Sequence, residues 1–121
     1  MSTPFKYQIC QQQPEFVRVT MSGIAGVEQI ECVYQEVLDL SSSHQVHKVL
    51  VDAKSVKLSY PLTEFLPLMN RLSSLLKDHK IARVCHKDEF RQGLIEAAGT
   101  KSQLALRNFQ QECDALDWLL A

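Results

Sequence analysis

Apolar and polar positions alternate at the start of the chain. Phe5, Tyr7 and Ile9 are separated by Lys6, Gln8 and Cys10, which predicts a half-buried strand. Gln11-Gln12-Gln13-Pro14 reads as a turn, and Phe16-Val17-Arg18-Val19-Thr20-Met21 as a second strand. So short a connection predicts an antiparallel hairpin. Ser22-Gly23-Ile24-Ala25-Gly26 then breaks the strand pattern. Beyond it the period lengthens. Val27, Ile30, Val33, Tyr34, Val37 and Leu38 share one helical face, while Glu28, Glu31, Gln35 and Glu36 take the other. Two early glutamates favour a helix N-terminus, and Ser41-Ser42-Ser43 closes the helix.

Val49-Leu50-Val51 is apolar without alternation, between Lys48 and Asp52. Such runs mark strands covered on both faces, as in a parallel sheet. A polar loop follows, and then Phe65, Met69, Leu72 and Leu76 form a second helical stripe. Ile81-Ala82-Arg83-Val84-Cys85 reads as another strand. Asp88 suits the N-cap of a third helix carrying Phe90, Leu94 and Ile95, with Gly99 as its stop. Leu104-Ala105-Leu106 opens a last strand, and residues 110–120 a closing helix with Leu116, Trp118, Leu119 and Leu120. The order β-β-α-β-α-β-α-β-α predicts an α/β fold. Its mixed sheet is mostly parallel, with an antiparallel first strand and four packed helices.

Length adds one constraint. The 121 residues, without repeat or linker, predict one domain over 1–121. The apolar fraction of 45% suffices for a core. A net charge of −1 gives no field to draw nucleic acid, and no nucleic-acid module is present. No stretch approaches the roughly 18 apolar residues of a membrane span. The first residues lack the charged and apolar runs of a signal peptide, so the expected address is the cytoplasm. Cys10, Cys32, Cys85 and Cys113 are widely spaced and read as free thiols. Three of the four have apolar neighbours and are expected to pack as small hydrophobes.

Two segments carry a resemblance. Leu106-Arg107-Asn108-Phe109, followed by Cys113-Asp114-Ala115-Leu116-Asp117-Trp118-Leu119, resembles the close of the SpoIIAA-like STAS proteins of bacteria. Lys48-Val49-Leu50-Val51-Asp52, after an acidic amphipathic helix, resembles that family's central strand. The resemblance implies a STAS fold, similar to the core of CRAL-TRIO domains, which hold hydrophobic molecules beneath a movable helix. It implies two kinds of function. Anti-sigma-factor antagonists are partner-binding switches controlled by phosphorylation of a serine. The broader SpoIIAA-like group, without that serine, is associated with apolar ligands and membranes. In the antagonists an Asp-Ser-Ser-Gly-type helix start follows the strand ending in Asp. Here Tyr60-Pro61-Leu62-Thr63 stands in that place. Proline removes one backbone donor that would greet a phosphate. Ser55 and Ser59 lie nearby but do not match the switch position.

The second helix is richer in apolar residues than a core-facing helix needs. Leu62, Leu66 and Leu68 fall outside its main stripe. One account is a wide core contact or a dimer patch. Another is a greasy lip over a ligand, formed by Tyr60, Leu62, Phe65, Leu66 and Met69, with Phe90 and Leu94 of the third helix beneath it. Pro61 and Pro67 stiffen the entry to this helix. Lys54, Lys57, Lys77, Lys80 and Lys87 would suit an anionic membrane surface, or simply solvated element ends.

Catalytic chemistry is thin. His44-x-x-His47 lacks a third ligand at metal spacing. Cys85 and His86 point to opposite sides of a strand and form no nucleophile–base pair. Asp52 stands where α/β sheets place ligands, and equally where an aspartate caps a loop. The sequence reading is therefore a non-catalytic domain without cofactor or metal. It binds an apolar or lipid-like small molecule, with peripheral membrane contact. The alternative is a protein–protein interaction or dimerisation module of the antagonist type, lacking the phosphorylatable serine.

Overall fold

The computed structural model describes residues 4–12, 15–86 and 89–121. The elements follow the expected order: β1 Lys6–Gln12, β2 Phe16–Ala25, α1 Val27–His44, β3 Lys48–Leu58, α2 Leu62–Leu75, β4 Lys80–Val84, α3 Phe90–Lys101, β5 Ala105–Phe109 and α4 Glu112–Leu120. The strands form one sheet in the order β1-β2-β3-β4-β5. β1 is antiparallel to β2, and the other pairings are parallel.

Three helices bury one face of the sheet. Val33 and Val37 of α1, Leu68 and Leu72 of α2, and Ile95 of α3 pack against Val19, Val51, Ile81 and Leu106 of the strands. The fourth helix covers the opposite face, where Ala115 and Leu119 meet Leu50, Ala82 and Val84. This explains the unalternated run at Val49-Leu50-Val51, whose residues are wholly buried. At β1 and β2 the back of the sheet carries Lys6, Gln8, Thr20 and Ser22 instead, in directly paired positions.

Several boundaries differ from the sequence expectation. The segment after Asp52 is not a loop. β3 continues to Leu58, burying Val56 and Leu58. Its register against β2 shifts between Thr20 and Ser22, so Ala53 and Lys54 stand where β2 supplies Met21 alone. This bulge moves the inward positions from 49, 51 and 53 to 56 and 58. Asp52 Oδ1 accepts the Lys54 N–H at 3.1 Å, which closes the bulge. β2 likewise runs through Gly23 to Ala25. Gly23 has φ +86 and lies beneath the chain at Pro4, where only a missing Cβ leaves room.

α1 ends at His44, with Gln45 in the left-handed conformation and the Val46 N–H returning to Ser41 O. Gly99 does not stop α3. It is buried inside the helix against Leu106, and the chain turns at Ser102-Gln103. Glu89 is the N-cap of α3, and the expected cap Asp88 lies outside the described residues, as does the Gln13-Pro14 part of the first turn. Cys85 alone is a buried thiol. Cys10, Cys32 and Cys113 are exposed.

Candidate functional site

α2 begins where β3 reaches the end of the sheet. Leu58 is the last strand residue, the Ser59 N–H donates to Ala25 O at 2.9 Å, and Pro61 is the helix N-cap. Ser59 Oγ also donates to Ala25 O, at 3.3 Å. The loop is thus pinned to the end of β2 and is not a free lip.

Tyr60 is fixed more firmly. It is buried, with the Arg91 guanidinium over its ring at 5.5 Å. Burial raises its pKa, and Arg83 and Arg91 partly offset this. Phe65 and Met69 face the core, as expected of the stripe. Leu68 belongs with them: it is wholly buried, because it follows Phe65 by three residues on the same helical side. Leu75 at the end of α2 is 43% exposed, and at its start Leu62 is 52% exposed and Leu66 61% exposed. One turn apart, the latter two form an outward strip at the start of α2. Phe90, the first residue of α3, is 71% exposed rather than seated beneath α2. Leu94 is half-buried beside the core. The Arg91–Tyr60 contact places the start of α3 beside the start of α2. On the outer surface, Arg71 of α2 clasps the carboxylate of Glu31 in α1 with two hydrogen bonds of 2.6 and 3.1 Å.

The space under α2 answers the question of a greasy pocket. The void bounded by Tyr60, Leu68, Met69 and Leu72 measures about 30 Å³. Small-molecule pockets span roughly 300–1,000 Å³, and a void of this size suits about one water molecule. Side chains fill the room that the sequence reading reserved for an apolar ligand.

The lysines do not gather into one patch. Lys54 and Lys57 lie on the late, exposed part of β3. Lys80 begins β4 level with Lys48, at the other end of the sheet, near Lys77. Its Nζ donates to Trp118 O at 2.6 Å and sits 4.6 Å from the Trp118 ring centre. Lys87 lies outside the described residues.

Among the described residues, no group of three His, Cys, Asp or Glu is placed to hold a metal. The ring that meets His47 is that of His79, with centres 5.2 Å apart. His79 is buried, and neither ring nitrogen has a partner. Its burial lowers its pKa, His47 adds to this, and Asp78 opposes it. Sequence spacing could not pair these rings, because they are joined only by the β3–β4 register. Burial raises the pKa of the Cys85 thiol, which favours the inert protonated form.

A mixed five-stranded sheet with three helices on one face and one on the other defines the class. The particular fold is the SpoIIAA-like, or STAS, fold. A Shewanella loihica PV-4 protein from the DUF3478 family with a SpoIIAA-like fold is similar at 19% identity and TM-score 0.61, over 97% of this chain and 94% of that one. An anti-sigma factor antagonist from Mycobacterium paratuberculosis is similar at 16% identity and TM-score 0.64, over 98% of both chains. The anti-sigma factor antagonist SpoIIAA in its unphosphorylated form is similar at 13% identity and TM-score 0.59, over 93% of this chain and 95% of that one. No family model and no curated protein matches the chain. No helix of the described residues is long and apolar enough to cross a membrane.

Proposed function

We propose that this chain is a non-catalytic protein–protein interaction module whose contact surface is the exposed start of α2 with the adjoining start of α3. The observation that carries this is the pairing of a filled interior with an apolar exterior. Leu62, Leu66 and Phe90 are each more than half exposed, while the space beneath α2 holds about 30 Å³. Exposed apolar groups of this kind are explained by an occupant outside the fold, because there is no room for one within it. The likeness to two anti-sigma factor antagonists supports a protein as that occupant. A phosphoserine switch at the helix start is not part of the proposal, since Pro61-Leu62 opens α2 and Ser59 is tied to Ala25.

The test compares the wild type with Leu66→Asp and Phe90→Ser, both exposed positions that leave the core intact. Sedimentation velocity reads self-association, and affinity capture from the native host reads other partners. The expected result is a stoichiometric protein complex, or a dimer, that either substitution disrupts. If both variants keep every complex and lose only liposome flotation, the surface meets lipid and the proposal fails.

A further inference from the structure

The sheet has one place where its connections part. After β4 the chain enters α3 on the front face, and after β5 it enters α4 on the back. Open α/β sheets leave a crevice outside the carboxyl ends of strands whose connections diverge in this way. A crevice of about 510 Å³ opens there, within the size range of small-molecule sites. Gln92 and Asn108 lie at its base, Gly93 and Glu96 on the α3 wall, and Gln111 and Asp114 on the α4 wall.

Two features of this crevice go beyond what the fold requires. The first is Arg83. It is 2% exposed, and among the described residues no carboxylate lies within ion-pair distance of it. Its guanidinium donates instead to Asn108 Oδ1 at 3.1 Å and to Gln92 Oε1. Asn108 Nδ2 donates to Gln92 O at 2.7 Å, and the Asn108 N–H donates to Glu96 Oε2 at 2.7 Å. A buried cation is thereby used to set two amide side chains at the base of an open crevice, which is how a pre-formed binding site is supported.

The second is Gly93, inside α3. A Cβ built there meets nothing within 4 Å, whereas one at Gly99 would meet Leu106 at 3.4 Å. Gly99 has a packing reason and Gly93 has none. Glycine weakens a helix, and what it supplies at Gly93 is an open wall.

We propose that this crevice binds an uncharged polyhydroxylated small molecule of the sugar or polyol class. A hydroxyl donates and accepts at once, and so does the amide of Gln111, while Gln92, whose Oε1 is taken by Arg83, offers only its N–H donors. Asp114 and Glu96 add acceptors and disfavour anions. The buried Arg83 charge and the N-terminal ends of α3 and α4 offset the two carboxylates, so the site does not select a cation. The Phe109 ring supplies the apolar surface that the C–H face of such a ligand needs.

The test is an amide-shift titration of the isotopically labelled protein with glucose, ribose and myo-inositol in the millimolar range, with inorganic phosphate as the anionic control. At least one polyol is expected to give saturable shifts at Gly93, Asn108 and Gln111. Gly93→Leu, whose Cβ enters open space on the crevice wall, is expected to abolish them, and so is Gln111→Ala on the facing wall. Unchanged amide positions elsewhere show that each variant is folded, and the second variant decides if the first is not. The proposal is overturned if no polyol saturates, if phosphate binds in preference, or if binding survives in a folded variant.

Discussion

At the scale of single residues, the positions that matter most are those whose surroundings leave no alternative. Gly23 is one. Its positive φ is unfavourable for any side chain, and a Cβ would stand 2.1 Å from Pro4 O. Gly23→Ala is expected to lower stability by about 1–3 kcal/mol, read from the urea midpoint. His79 is another. Its buried ring resists protonation, so its folded-state pKa lies below the unfolded one. The unfolded chain therefore binds the proton first as pH falls. Stability is full above about pH 6.5 and declines below it, by up to about 1.4 kcal/mol per pH unit, until the folded-state pKa is reached. Urea midpoints followed from about pH 7 down to about pH 5.5 should show this decline, and His79→Phe should reduce it. A His79→Phe protein with the wild-type pH profile would show that another group carries the effect.

At the scale of elements, α2 contains its own weak point. Pro67 lies inside the helix and is exposed, and it has no N–H to offer the Thr63 carbonyl. Pro67→Ala is expected to stabilise the protein, by up to about 3 kcal/mol, in thermal or urea unfolding. It should leave Leu62 and Leu66 on the surface.

The elements were largely legible in the sequence, because runs of period two and of three to four survive burial on one or two faces. The tail of β3 was not. Its bulge shifts the inward positions by one, so that Val56 and Leu58 fall out of phase with Val49 and Val51, and the polar residues between them imitate a loop. The end of α1 was obscured because Gln45, rather than a glycine, takes the left-handed position. Glycine misled in α3, where Gly99 makes room for Leu106 instead of ending the helix. In α2, the surplus of leucines marked Leu62 and Leu66 as lying outside the core stripe, and both are exposed. Whether surplus apolar residues cover a cavity or face solvent depends on packing between elements, which no periodicity records. The Arg83 network was hidden for the same reason: its members come from β4, α3 and β5 and meet only in the folded chain.

At the scale of the whole molecule, α4 is the only helix among the described residues on its side of the sheet, where it packs on β3, β4 and β5. Lys80 secures it from below, reaching the Trp118 carbonyl and ring. Lys80→Met is expected to cost about 2 kcal/mol, combining a charge-assisted hydrogen bond with a cation–π contact. Trp118 is the sole tryptophan, so its fluorescence reports the loosening of α4 directly. An unchanged emission and midpoint would show that the apolar contacts of Ala115 and Leu119 suffice.

The order of strands across the sheet repeats their order along the chain. Each strand has its predecessor as a neighbour, and no late segment must be threaded into the middle of a finished sheet. Paired strands are separated by one helix at most, which limits the loop that each pairing must close. A polypeptide with this arrangement can assemble in the direction of its own synthesis, with every completed strand presenting the edge on which the next is laid.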